Sequence, residues 1–279
     1  MQAAPSSVRE FCLRLLQQGD LATKLSPPGS ALCDDEPGPA VWITRPARSP
    51  ELAMAGGAER LPRPGELADP AQRAACLARF AHHELMAAEL FAWALLRWPA
   101  LPAPLRRGWL GVLADEQRHC RLYLERLAAL GSALHEHPRS NYFWKHAPAI
   151  AASPHGPRAF LCAMGLTLEQ ANLDFSLLYR DAFREAGDEA SARVCQRVHD
   201  EEVTHVRLAA HWLRQLQLGA GSRSDADAYD EAVPFPLAAS RAKGRRFDVA
   251  ARRRAGLSEE FIEHIRTARS SQNRNGSGR

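Results

Sequence analysis

The chain has 279 residues, of which 46% are hydrophobic, and its net charge is only +4. This length is sufficient to bury a sizeable core, and the long aliphatic-rich runs favour an all-α protein. The sequence has no run of about 18 uncharged apolar residues, as a membrane span would need, and its N-terminus lacks the pattern of a signal peptide. We therefore expect a cytoplasmic protein that does not contact a membrane. Six scattered cysteines without a Cys-x-x-Cys pair argue against a disulfide framework and a rubredoxin-type iron centre.

The N-terminal part, 1–69, predicts a short helix followed by an extended arm. Residues 6–18 begin with serine and place apolar side chains at helical spacing. Residues 19–69 contain most of the early proline and glycine and show no sustained period. The arm contains the apolar residues Val41, Trp42, Ile43 and Leu52, which need burial. We therefore expect this arm to pack against the bundle.

Two long helices are predicted next, over about 70–98 and 102–131. An aspartate followed by proline marks the start of the first helix. Each helix has an apolar stripe that includes ionisable residues, which are Glu84 in the first and both Glu116 and His119 in the second. Ionisable residues on a core-facing stripe indicate a functional site.

The pattern then repeats in a second predicted helix pair, over 157–187 and 188–219. Glu169 lies on the apolar stripe of the third helix, and Glu202 and His205 lie on that of the fourth. A Glu-x-x-His pair projects from one face of a helix, because residues three apart are neighbours on its surface. The sequence thus predicts one helical hairpin used twice.

The spacing supports this repeat. Glu84 precedes Glu116 by 32 residues, and Glu169 precedes Glu202 by 33 residues. In two antiparallel helices joined by a turn, residues at such a separation lie side by side, at the same level along the helix axes. With a long link over 131–156, the pattern predicts a four-helix bundle with one long crossover.

We therefore expect three regions along the chain. Residues 1–69 form a helix and an arm packed on the bundle, residues 70–219 form the bundle, and residues 220–279 form a basic tail with a short helix from Ser258 to about Arg269. The last 59 residues carry 12 basic and 8 acidic side chains, which accounts for the whole net charge.

The carboxylates and imidazoles on the four stripes predict a metal centre. A carboxylate on an apolar helix face costs several kcal/mol unless it is paired or binds a metal. The predicted ligands are two carboxylates and one imidazole from each hairpin, namely Glu84, Glu116, His119, Glu169, Glu202 and His205. This donor set suits iron or manganese, and two divalent ions would balance the four acids. Glu89 is an alternative or extra carboxylate.

Residues about one helical turn from a ligand are candidates for catalytic roles. Tyr123, Asn172 and His199 are predicted to support the ligands or to take part in redox chemistry. Asp115 and Glu201, each next to a ligand glutamate, are predicted to accept a hydrogen bond from a ligand histidine.

At these residues the chain resembles the ferritin-like superfamily of di-iron carboxylate proteins. The sequence over 115–119 is similar to the motif of bacterial multicomponent monooxygenase hydroxylases. The segments 83–87, 201–205, 234–235 and 250–256 look like a family of uncharacterised bacterial ferritin-like proteins. The resemblance implies a ferritin-like four-helix bundle whose six predicted ligands hold two iron ions, with Mn-Fe and Mn-Mn as alternatives.

Three functions follow from this resemblance and the residues. The first is a di-iron oxidoreductase that activates O2 to oxidise a small organic substrate, with electrons from a separate reductase or ferredoxin because no nucleotide-binding fingerprint is present. The second is iron or peroxide handling, as in ferritins and rubrerythrins. The third is tRNA hydroxylation, since residues 241–254 contain seven basic side chains and one acidic one. We expect the first, in a monomer or homodimer, and consider nucleic-acid binding less favoured because the overall charge is small.

Overall fold

The computed structural model describes residues 4–55, 60–217 and 224–269. Within these ranges the protein is all-α and has no strand, only isolated bridges between Ser7 and Cys33 and between Ala55 and Ser140. None of the described helices combines the length and the hydropathy that a membrane span requires. The chain divides into two compact units, one formed by Met1–Pro148 with Phe183–Ser191 and the other by Ala149–Ala182 with Ala192–Arg279.

The α-helices of the described residues are numbered in chain order. They are α1 (Val8–Gln17), α2 (Leu21–Lys24), α3 (Pro70–Arg97), α4 (Ala103–Ala129), α5 (Ala147–Ala152), α6 (Pro157–Phe160), α7 (Gln170–Glu185), α8 (Glu189–Gln215), α9 (Asp225–Ala232), α10 (Val249–Arg254) and α11 (Glu259–Thr267). A π-helix, Leu161–Glu169, connects α6 to α7. Short 3-10 turns occupy Pro50–Leu52, Pro64–Ala68, Leu134–Glu136, Trp144–His146 and Ala239–Arg241.

The first unit is built on an antiparallel hairpin of α3 and α4, which pack along each other. The ring centroids of Phe80 and Tyr123 are 5.3 Å apart near one end, and those of Trp98 and Trp109 are 6.3 Å apart near the other. Early residues of α3 therefore face late residues of α4. The buried side chains of α3 are mostly Ala and Leu, which allow close helix packing, whereas those of α4 include larger and polar residues such as Trp109 and Tyr123.

The N-terminal arm lies against α3 within the same unit. Helix α1 packs on α3, and the amide of Val41 donates to the carbonyl of Leu96 over 3.0 Å. The indole nitrogen of Trp93 donates to the carbonyl of Ile43 over 2.9 Å. These contacts give backbone groups of the arm hydrogen-bond partners on α3. The expected burial is confirmed for Leu52, which is 4% exposed, and is wrong for Trp42, which is 73% exposed and lies against the guanidinium of Arg97.

The second unit contains the other antiparallel hairpin. Asn172 contacts Glu202, and Arg180 contacts Gln196 farther along, so α7 and α8 run in opposite directions. A Cβ atom built on Gly165 would lie 2.3 Å from the Cβ of Ala209. Only glycine therefore allows the π-helix to approach α8 this closely.

The predicted helix ends agree with the structure at the capped positions. The side chain of Asp69 accepts from the amide of Ala71 at the start of α3, and Asp188 accepts from Ser191 at the start of α8. The sequence did not predict the π-helix or the short helices α2, α5, α9 and α10. The predicted end of the fourth helix at 218–219 and the tail residues 270–279 lie outside the described residues.

All six cysteines are free thiols, and Cys33 is the exposed one among them. Burial raises the pKa of the Cys120 thiol to about 12, and it raises the pKa values of Cys12 and Cys162 further still. These buried thiols are protonated at neutral pH and act as small apolar side chains in the core.

Candidate metal centre

The first unit gathers the three ligands predicted on its hairpin. Glu84 of α3 is 6% exposed, and Glu116 and His119 of α4 are 1% and 0% exposed. One ligand atom from each of these residues lies within 4.8 Å of the others. We call this set the first triad. It arises because residues three apart on α4 face the same side, opposite Glu84 on the antiparallel helix.

The second unit gathers the matching set. Glu169 lies at the end of the π-helix, and Glu202 and His205 lie on α8, all at most 5% exposed. Their ligand atoms are also within 4.8 Å of one another. The Nδ1 atom of His205 is 3.3 Å from an oxygen of Glu169 and 3.2 Å from an oxygen of Glu202. We call this set the second triad.

The donor set of each triad fits a divalent metal ion. Two carboxylates and one imidazole supply hard oxygen and borderline nitrogen, which bind iron and manganese well. Two buried carboxylates so close together repel each other, and one divalent ion balances their charge. Each triad is therefore a buried Glu/His cluster that can hold a metal ion.

Two histidines next to Glu84 add no positive charge to the first triad. Burial lowers the pKa of His83 to about 4, and burial together with the Arg48 guanidinium lowers the pKa of His82 well below its usual value. The ring of His83 stacks on that of Phe143 at 5.1 Å between centroids. Both imidazoles are neutral at pH 7, so they leave the charge of the two acids for a metal ion to balance.

The acids beside the ligand glutamates pair with arginines of their own helices. Asp115 accepts from Arg118 over 2.7 Å, and Glu201 accepts from Arg197 over 3.1 Å. Both acids are about one-third to one-quarter exposed, at 32% and 26%. Their predicted role as hydrogen-bond acceptors for His119 and His205 stays a prediction.

The three predicted catalytic residues have different surroundings. Tyr123 is buried on α4, and its ring packs against Phe80. His199 is buried on α8, where its Nδ1 lies 3.0 Å from Asp200 and its Nε2 lies 3.2 Å from Asp248. Two carboxylates thus hold the His199 ring in one orientation. Catalytic roles for Tyr123 and His199 stay predictions.

Asn172 contacts a predicted ligand directly. Its amide nitrogen donates to Oε1 of Glu202 over 2.9 Å, while Oε2 of the same carboxylate faces His205. The amide therefore fixes which oxygen of Glu202 faces the imidazole. Such partners orient a metal ligand and keep its charged form favourable.

We predict that Asn172→Ala weakens metal binding by about 10- to 100-fold, because Glu202 loses its hydrogen-bond donor. Titration of the metal-free protein with Mn2+, followed by calorimetry, measures this change. Gln196→Ala is a suitable control, since Gln196 is also a side-chain amide of this hairpin but bonds to Arg180 and Asp200. Equal Mn2+ affinity in Asn172→Ala and the unaltered protein would contradict the role of the amide.

The basic residues of the tail mostly bond within the second unit. Arg252 is fully buried, Arg246 pairs with Asp181, and Arg253 pairs with Glu259. Lys243 donates to two backbone carbonyls near the end of α11. These contacts give several basic residues of the tail partners within the protein, and the tRNA hypothesis stays a prediction.

The comparisons with known proteins give a family but no activity. Neither the search of curated proteins nor the search of solved structures finds a match. The family model described as "Protein of unknown function (DUF455)" matches residues 10–263. Because this match spans most of the chain, the protein belongs to the DUF455 family.

Proposed function

We propose that the two triads are halves of one di-iron centre in a ferritin-like four-helix bundle, and that the protein is an oxidoreductase that activates O2 to oxidise a small organic substrate. The observation that carries this proposal is the repetition of one buried donor set, Glu with Glu-x-x-His, in both hairpins. Ferritin-like di-iron proteins take one Glu-x-x-His motif from each of two helices and one Glu from each of the other two.

Each side chain of the centre has a definite role in this proposal. The four carboxylates bind the metals and neutralise them, since four negative charges match two divalent ions. His119 and His205 complete the two donor sets as imidazole ligands. Asn172 orients Glu202, and the burial of all six ligands excludes bulk water from the site.

Iron, when bound, supplies the electrons and the open coordination positions for dioxygen reduction. The chain supplies the ligand geometry and a dry, low-dielectric site around it. The sequence has no flavin or nicotinamide fingerprint, so a separate electron donor must return electrons after each turnover. This requirement makes a reductase or ferredoxin the expected protein partner.

Oxygen uptake tests this function. Metal-free protein is loaded with ferrous iron without air, and air-saturated buffer is then added in an oxygen-electrode cell. We expect rapid O2 uptake by the loaded protein and only the background rate of free ferrous iron when Glu116 and Glu202 are both replaced by alanine. Uptake equal to that background in the unaltered protein would contradict an O2-activating centre.

Light scattering and a metabolite screen separate this function from iron handling. A monomer or homodimer that consumes O2 and alters one class of metabolite supports an oxygenase. A hollow shell of many subunits, which continues to take up iron beyond the two ligand sets, would instead support iron storage. The segments outside the two hairpins, including α1 and α9 to α11, favour the first result because a storage subunit needs little more than the bundle.

A further inference from the structure

The first helical segment of each hairpin has a second, fully buried acid five residues after its ligand glutamate. Glu89 follows Glu84 by five residues in α3, and Asp174 follows Glu169 by five residues at the start of α7. Both acids are 0% exposed. Five residues correspond to about 140° around the helix axis and about 7.5 Å along it. Each acid therefore points to the far side of its helix from the ligand.

Glu89 binds two cations of the N-terminal arm. Its Oε1 lies 2.8 Å from Nζ of Lys24, and its Oε2 lies 2.7 Å from a guanidinium nitrogen of Arg48. The indole nitrogen of Trp144 also donates to Oε2 over 2.9 Å. The side chains of Lys24 and Arg48 are 0% and 4% exposed. The arm is therefore bound to Glu89 in the interior of the first unit.

Asp174 binds the C-terminal tail in the corresponding way. The guanidinium of Arg252 donates to both carboxylate oxygens over 2.7 and 2.9 Å. The amides of Gly244 and Asp248 donate to the same carboxylate over 2.8 and 2.7 Å. All four donors belong to the tail, and Arg252 is 0% exposed.

Stability alone is a weak reason for these ion pairs. The desolvation of a buried pair offsets most of its Coulomb attraction, and apolar residues of similar volume often stabilise a protein as well or better. A bidentate or multiply bonded carboxylate does, however, fix the orientation of the group that carries it. When such a carboxylate lies on the helix face opposite the metal ligand, the helix cannot rotate about its axis without breaking buried hydrogen bonds.

We infer that Glu89 and Asp174 are positioning residues for the metal centre. This inference rests on the function proposed above. Each acid fixes the rotation of its helix, so that Glu84 or Glu169 presents its carboxylate to the metal from the opposite face. The arm and the tail thereby serve as equivalent clamps on the two hairpins. The internal repeat extends beyond the six ligands to the acids that hold the ligand helices.

Cobalt binding by the full-length chain tests this inference, since the visible spectrum of Co2+ reports its coordination geometry. The variants are Glu89→Gln and Asp174→Asn, which keep side-chain shape but remove the charge. The control is Asp34→Asn, because Asp34 also anchors the arm through a bidentate pair with Arg106. Arg106 lies ten residues from Glu116 in α4, or about 15 Å along the helix.

We expect Glu89→Gln and Asp174→Asn to bind Co2+ at least about tenfold more weakly and with altered visible bands. Asp34→Asn should keep the affinity and the spectrum, even where it lowers the melting temperature. Arg48→Lys and Arg252→Lys, which keep the charge but lose the planar fork, test the same point if the acid variants do not fold. The visible Co2+ bands of these arginine variants should shift in the same direction as those expected for the acid variants.

Three results would overturn the inference, and only the last of them would also reject the proposed metal centre. Unchanged Co2+ affinity and spectrum in every folded variant would reject the positioning role and leave the metal centre standing. A loss of affinity that is equally large in Asp34→Asn would reduce the role to general stability, with the same consequence. Absence of Co2+ binding by the unaltered chain would reject both the positioning role and the proposed centre.

Discussion

Replacement of both Glu116 and Glu202 by alanine is expected to reduce the metal content of the protein from two ions per chain to near zero. Each triad loses one of its two carboxylates, so the remaining donors neither balance a divalent charge nor complete a ligand set. Elemental analysis of protein reconstituted with ferrous iron measures this loss. Two ions per chain in the double variant would show that these glutamates are not ligands.

Two exposed acids of the same helices provide a matched control for this experiment. Glu125→Ala with Glu189→Ala removes the same charge from α4 and α8. Because both side chains are exposed and neither belongs to a triad, we expect this control to keep its metal.

Thermal unfolding without metal then separates ligand loss from misfolding. The variant lacking Glu116 and Glu202 should melt at or above the temperature of the metal-free unaltered protein, because close buried carboxylates repel each other. A large drop in that temperature would indicate a structural role for the two glutamates instead.

The second large effect is expected at Gly165, where an alanine should destabilise the protein by about 3 kcal/mol. The new Cβ would lie 2.3 Å from the Cβ of Ala209. Both atoms are fixed to helical backbone, so the π-helix and α8 must move apart to relieve the contact. This movement separates Glu169 from Glu202 and His205, so metal affinity should fall together with the melting temperature.

A compensating substitution makes this prediction specific. Gly165→Ala combined with Ala209→Gly removes the clashing atom from α8 and leaves a 3.7 Å contact to its Cα. The double variant should recover most of the lost stability, apart from about 1 kcal/mol for glycine in a helix. Chemical denaturation of the three proteins tests this order. Equal stability of Gly165→Ala and the unaltered protein would contradict the close packing.

Much of the local structure follows from the sequence because its signals are local. The Asp69-Pro70 start of α3, the capping of α8 by Asp188 and the apolar stripes are all encoded within a few residues. The two triads are also predictable, since each needs only a Glu-x-x-His on one helix and a Glu on its antiparallel neighbour. The structure places all three members of each set together and buried.

Other features depend on tertiary contacts that no short motif reports. The π-helix at Leu161–Glu169 is one of them, and within it Gly165 lies against Ala209 of α8. Glu89 is predicted from the sequence as an alternative or extra carboxylate of the metal centre, but it pairs with Lys24 and Arg48, which lie 65 and 41 residues away in the chain. Asp174 had a visible signal, namely the same five-residue offset from its ligand, once the repeat was extended beyond the ligands.

The most direct test of the shared centre is the number and the magnetic coupling of the bound ions. Iron-loaded, air-oxidised protein is analysed for iron content, and electron paramagnetic resonance is recorded on the same sample. The di-iron centre predicts two irons per chain whose spins are coupled, so that the signal of isolated high-spin ferric iron is absent. Two irons per chain with the full isolated-ion signal would mean separate sites and would contradict the shared centre.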